Sequence, residues 1–112
     1  MIDMISWDDF EKIDIRAGTI LTAEEFTGAR KPAYKLTIDF GPEGIKRSSA
    51  QITALYNPAA LVGRQVIAVI NFPVKQIGNY FSECLVLGVY NENREVVLLQ
   101  PSHLVNNGDK VG

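Results

Sequence analysis

The stretch YKLTIDF, residues 34–40, alternates without a break: Tyr34, Leu36, Ile38 and Phe40 fall on one side of an extended chain, and Lys35, Thr37 and Asp39 on the other. Successive side chains of a strand point to opposite faces, so this stretch is a strand with one buried and one wet face. Its neighbours are turns. FTGARKP (26–32) is a loop by its Gly and Pro, and GPEG (41–44) is a turn. Ahead of the loop, Ile13, Ile15, Ala17, Leu21 and Ala23 share one phase while Asp14, Arg16 and Thr22 take the other, with Gly18 available for the bend that a small barrel needs. After the turn, IKRSSAQI (45–52) reads as a short polar strand.

Further along, TALYNPAALVG (53–63) suggests a short helix broken near Pro58, and three apolar runs follow, QVIAVI (65–70), CLVLGVY (84–90) and VVLLQP (96–101). At the other end, Ser6 and Asp9 form a capping-box-like start, with Trp7 and Phe10 spaced to share a helical face. Short strands with a turn every ten or so residues favour a small barrel. Five strands with a helix between the third and fourth is the order of an oligonucleotide/oligosaccharide-binding (OB) fold. The expectation is one domain over residues 1–112: an all-β Greek-key barrel with short helices, an N-terminal helix and a C-terminal extension.

The three apolar runs do not alternate, whereas an antiparallel barrel of this size buries only the inner face of each strand. Something must cover the outer faces. Either the two helices do so, or a second copy does, and large apolar patches usually mark interfaces, which points to a homodimer. NFPVKQIGNYFSE (71–83) is long for a connection between two core strands and carries Phe72, Ile77, Tyr80 and Phe81 beside Lys75. Those aromatics could stack on nucleobases, line a groove for polypeptide, or pack in a dimer contact.

Composition is that of a soluble globular chain, 46% apolar and 21% charged, without an apolar run long enough to span a bilayer and with an acidic start. A cytoplasmic protein without membrane insertion is expected. The single Cys84 lies in an apolar run, which excludes a disulfide within the chain and argues for a buried structural thiol. One histidine, His103, has no nucleophile elbow to serve, and the adjacent pairs Asp8-Asp9 and Glu24-Glu25 point in different directions. No phosphate loop, dinucleotide fingerprint or metal-spaced cluster occurs, so no enzyme, metal or cofactor is expected. The net charge of −2 conceals a basic middle: residues 30–81 carry seven cations against Asp39 and Glu43. A small barrel binds single-stranded or looped nucleic acid with basic groups for phosphate and aromatic faces for bases. Arg30, Lys31, Lys35, Lys46, Arg47 and Lys75 are the candidates for the former, with Ser48, Ser49, Gln51 and Asn71 as neutral partners.

DFEKIDIRAGTI (9–20), ARKPAYKLTIDFG (29–41), KRSSAQIT (46–53) and GRQVIAVINFPVKQIGNYFSECLVLG (63–88) together resemble the CsaA-type export-related chaperones and, beyond them, the tRNA-binding domains appended to methionyl- and phenylalanyl-tRNA synthetases. The resemblance spans nearly the whole chain. It implies an OB fold, a homodimer built partly from terminal segments, tRNA recognition by shape without catalysis, and, for the CsaA branch, binding of unfolded or pre-secretory polypeptide. By position it assigns RNA contacts to Lys31, Lys35, Arg47, Ser49, Gln51, Asn71, Lys75, Ser82 and Glu83. The loop departs from the family pattern. Pro73-Val74-Lys75-Gln76 stands where two prolines and two basic residues are usual, and Phe81 replaces a basic residue. Fewer cations and more apolar surface shift the balance towards polypeptide, for which Phe72, Ile77, Tyr80 and Phe81 are the candidate contacts.

Overall fold

A computed structural model describes residues 3–112. The elements run α1 (Trp7–Glu11), β1 (Ile15–Glu25), β2 (Tyr34–Asp39), β3 (Ile45–Ala50), α2 (Pro58–Leu61), β4 (Gln65–Val69), β5 (Lys75–Ile77), β6 (Tyr80–Ser82), β7 (Leu85–Val86), β8 (Gly88–Tyr90) and β9 (Val96–Leu98), with a 3₁₀ turn at Gly41–Glu43. Five strands make one antiparallel sheet in the order β3-β2-β1-β4-β7, curled into a nearly closed barrel; this is the OB fold. The expected inner face is the real one. Leu36, Ile38 and Phe40 are fully buried among Ile20, Leu61 and Val66, and Lys35, Thr37 and Asp39 lie on the outer side of β2.

Strand β1 differs from its alternating reading. Its register with β2 slips between Ile20 and Thr22, leaving Leu21 as an extra residue. A bulge of this kind reverses the faces on either side of it. Ile20 therefore enters the core, and Leu21, expected inside, is 40% exposed. Gly18 is required for close approach: a Cβ there would stand 2.6 Å from Phe40 Cδ1 and 2.8 Å from Ile38 Cγ2.

Ser6 and Asp9 form the capping box, Ser6 Oγ accepting from Asp9 N–H at 3.0 Å and Asp9 Oδ2 from Ser6 N–H at 3.1 Å. The middle helix is not broken at Pro58 but begins there: Asn57 caps it through Ala60 N–H at 3.0 Å, and proline is favoured at a first helical position, whose N–H has no partner to lose. Apolar surface nevertheless stays uncovered. α1 carries no buried residue, Trp7 is 88% exposed, and Tyr90, Val89 and Leu104 stay open to solvent.

The long stretch 71–83 is not a plain loop. Its middle is the hairpin β5–β6, turned by Gly78 at φ +60°, the residue type and position that a type II′ turn favours. The run CLVLGVY divides, its first half supplying the short barrel strand β7 and its second half pairing as β8 with β9. The C-terminal extension then returns along β1, where Ala17 N–H donates to Asp109 C=O (3.0 Å) and Gly108 and Val111 N–H donate to Ala17 and Ile15 C=O (each 2.8 Å).

Candidate nucleic-acid interface

The outer face of β2 and β3 meets hairpin β5–β6 through Lys35, Arg47, Tyr80 and Phe81. Lys35 and Ser49 are cross-strand partners, as are Thr37 and Arg47, so Lys35 and Arg47 share the outer face. Lys35 Nζ lies 5.5 Å from the Tyr80 ring centre and 5.8 Å from that of Phe26; the Arg47 guanidinium lies 5.8 Å from Tyr80 and 5.9 Å from Phe81. All four distances are within cation–π range. Phe26 packs edge-on against Tyr80 at 5.5 Å, and Tyr80 Oη donates to Leu36 C=O at 3.0 Å, which fixes the ring over the sheet. Two cations are thus held beside one anchored ring.

Each cation also has an acid beside it. Lys35 Nζ is 3.2 Å from Glu24, and Arg47 donates to Glu83 Oε1 through both its Nε (3.1 Å) and its main-chain N–H (2.9 Å). Burial works against the Glu83 carboxylate, but the hydrogen bonds and charge of Arg47, with the charge of Lys46, outweigh it and hold its pKa below the ordinary value. Burial pushes the Tyr80 phenol up, with Arg47 opposing. It also pushes the Cys84 thiol up to about 11, so this buried thiol stays protonated and unreactive near neutral pH.

The other expected residues divide between the margin of this cluster and the rest of the fold. Ser82 Oγ accepts from Ser49 N–H at 3.2 Å, and Lys75 faces Ser82 across the hairpin, so these three adjoin the cluster. Arg30 and Lys31 are exposed on the β1–β2 connection, whose Gly28 carbonyl approaches Gly78 at the hairpin tip. Lys46 pairs with Ile38 and belongs to the opposite phase from Arg47. Asn71 is committed within the fold: its Oδ1 accepts from Asp14 N–H (2.9 Å) and its Nδ2 donates to Lys12 C=O (2.7 Å). Arg64, one of the seven cations of the basic middle, lies over Tyr56 at 5.1 Å.

Next to the cationic face lies a cleft of about 560 Å³, lined by Phe72, Ile77, Gln51, Val86 and Val96, with Lys75 and Glu83 as its charged residues. Of the four candidate polypeptide contacts, Phe72 and Ile77 line this cleft, whereas Tyr80 and Phe81 stand with the cations. Sequence reasoning missed Phe26 and Glu24. Glu24 becomes visible only through the β1–β2 register, in which it lies opposite Lys35, and Phe26 only through its packing on Tyr80.

Residues 15–110 match the family model described as a putative tRNA binding domain. The chain belongs to that family. Among solved structures, this family member is similar to the chaperone CsaA of Bacillus anthracis str. Ames, with 51% identity over 98% of this chain and 100% of that one and a TM-score of 0.93. The CsaA chaperone of Picrophilus torridus gives 50% identity over 97% and 100%, with a TM-score of 0.92. Within the tRNA-binding-domain family the chain is therefore of the CsaA type. A methionine–tRNA ligase of Methanococcoides burtonii is 34% identical over 95% of this chain but only 15% of its own length. The chain spans about 15% of the curated relatives it matches, so this likeness concerns their tRNA-binding domain alone.

Proposed function

We propose that this CsaA-type chain acts as a single, non-catalytic tRNA-binding domain in a cytoplasmic homodimer. It recognises tRNA by shape and backbone charge, and it holds unfolded or pre-secretory polypeptide as an export-related chaperone. The observation that carries the RNA reading is the pair Lys35 and Arg47 beside the anchored Tyr80 ring on the outer face of β2 and β3. Cations there can neutralise phosphate while Tyr80 or Phe81 offers a surface for a base. Arg30, Lys31 and Lys75 border the same region and extend the path of a backbone. The polypeptide reading rests on the neighbouring apolar cleft, in which Phe72 is 54% exposed. It also stands as the second reading, a secretion chaperone with no physiological RNA ligand.

Support for the dimer is the apolar surface that one subunit leaves open. Met4, Trp7 and Leu104 are each more than four-fifths exposed, and burial at about 25 cal/mol per Å² would favour a second copy over them. Isolation of the native protein at low salt tests the whole reading: tRNA and polypeptide are expected to co-purify, and the protein stripped of them is expected to sediment at twice 12.4 kDa. Recovery of polypeptide with no RNA would reject the first reading in favour of the second, and a monomer would remove the dimer.

A further inference from the structure

One short ribbon serves both the cationic face and the apolar cleft. In hairpin β5–β6 cross-strand partners share a face, as do alternate residues along each strand, so Lys75, Ile77, Tyr80 and Ser82 lie on one side of the ribbon and Gln76 and Phe81 on the other. Of the first side, Tyr80 stands over β2 beside Lys35 and Arg47, its hydroxyl on Leu36 C=O. The other three of that side, Lys75, Ile77 and Ser82, line the cleft.

The charges are shared as well. Among the described residues that line the cleft, Lys75 is the one cation and Glu83 the one carboxylate. Glu83 takes its hydrogen-bonded cation from the neighbouring face: Arg47 Nε donates to Oε1 at 3.1 Å and the Arg47 main-chain N–H to the same oxygen at 2.9 Å, while Lys46 adds charge without a bond. The Arg47 side chain is 45% exposed and that of Glu83 31%, so the guanidinium is free to turn to a phosphate while the carboxylate is half withdrawn from water. When the guanidinium turns away, the main-chain bond still holds the carboxylate at the cleft wall.

An apolar segment entering the cleft would then cover a carboxylate that has lost its partner, which opposes its binding. The converse follows from the same pair. A segment already in the cleft excludes water from Glu83, strengthens its attraction for Arg47 and Lys75, and withholds both cations from phosphate. We propose that tRNA and unfolded polypeptide bind this chain with negative coupling, each weakening the other through hairpin β5–β6 and the Arg47–Glu83 pair. A chain carrying RNA is then a poor holder of polypeptide, and polypeptide loads as RNA leaves. Linkage makes the two effects equal in size. The proposal rests on both arms of the function given above and adds how one regulates the other.

Unfractionated tRNA and a short, capped, uncharged peptide of leucine, serine and glycine, with no affinity for tRNA by itself, are the probes for the unaltered protein. By fluorescence anisotropy at one fixed low salt concentration, saturating tRNA is expected to raise the Kd of the peptide at least about threefold, and saturating peptide to raise that of tRNA by the same factor. In Glu83→Gln, folded by circular dichroism, the factor is expected to fall below about 1.5, because a neutral amide leaves no charge uncompensated. Arg47→Gln, at a more exposed position, should lower it too, since phosphate then has no guanidinium to draw from Glu83. The factor is a ratio, so a change in either separate affinity does not mimic the effect. Wild-type affinities that ignore the other ligand, or rise with it, overturn the coupling and leave the function intact. A factor unchanged in both variants overturns the route through this pair. Failure of either probe to bind alone removes that arm of the function and the coupling with it.

Discussion

Replacing Lys35 and Arg47 together by glutamine removes the two cations beside the Tyr80 ring while keeping much of the side-chain bulk. If each neutralises one phosphate, log K against log salt loses about 0.7–0.9 of slope per contact, or about 1.4–1.8 for the pair. At a slope of about 0.8 per contact and 0.1 M salt this amounts to about 40-fold in affinity relative to a 1 M reference. The structure reduces that figure. Lys35 is 3.2 Å from Glu24 and Arg47 3.1 Å from Glu83, and each exposed ion pair surrendered to bind RNA costs about 0.5 kcal/mol, together about fivefold. The expected loss is therefore about sevenfold to eightfold at 0.1 M, read by filter binding or fluorescence anisotropy on unfractionated tRNA across a salt series. A double variant that keeps its fold by circular dichroism and shows the wild-type salt slope would refute the assignment of this face to phosphate. The slope is the sharper measure, because the ion-pair correction alters the affinity far more than it alters the salt dependence.

Gly18→Ala should lower stability by about 1–3 kcal/mol, since its Cβ must displace the buried Phe40 and Ile38; an unchanged thermal midpoint would contradict the packing described. Glu83 has a folded pKa below its unfolded one, so its contribution is present above the unfolded value of about 4.3 and is lost as pH falls through the folded value. The stability gap between wild type and Glu83→Gln should accordingly close as pH falls from about 5 to about 3 in denaturant titrations, and a gap constant over that window would exclude the Arg47–Glu83 tie as its source. Phe72→Ser should weaken suppression of aggregation with little effect on tRNA affinity, whereas Phe81→Lys, adding a cation near Arg47, should raise tRNA affinity; identical behaviour of the two variants in both assays would dissolve the separation of cleft from cationic face.

Local pattern alone determined a good deal of this protein. The alternation of YKLTIDF fixed which side chains of β2 face the core, Ser6 with Asp9 marked the start of α1, and Gly and Pro placed the turns, because each depends on side chains within a few residues of one another. The identity of the cationic residues was equally legible, and so was the family likeness. Tertiary structure decided what depends on register and on contacts distant in sequence. One inserted residue, Leu21, exchanged the faces of β1, and no period-two reading can detect a bulge whose evidence lies in the partner strand. Pairing across the sheet brought Glu24 to Lys35, and packing brought Phe26 to Tyr80 and Glu83 to Arg47, so that the apparent set of seven equal cations became two held beside a ring, others around them, and Arg64 over Tyr56. Asn71 looked like a ligand contact by residue type, yet its amide joins the backbones of Lys12 and Asp14, some 57–59 residues away along the chain. A strand's alternation says which face is apolar, but only the positions of its neighbours say which of its edges is paired.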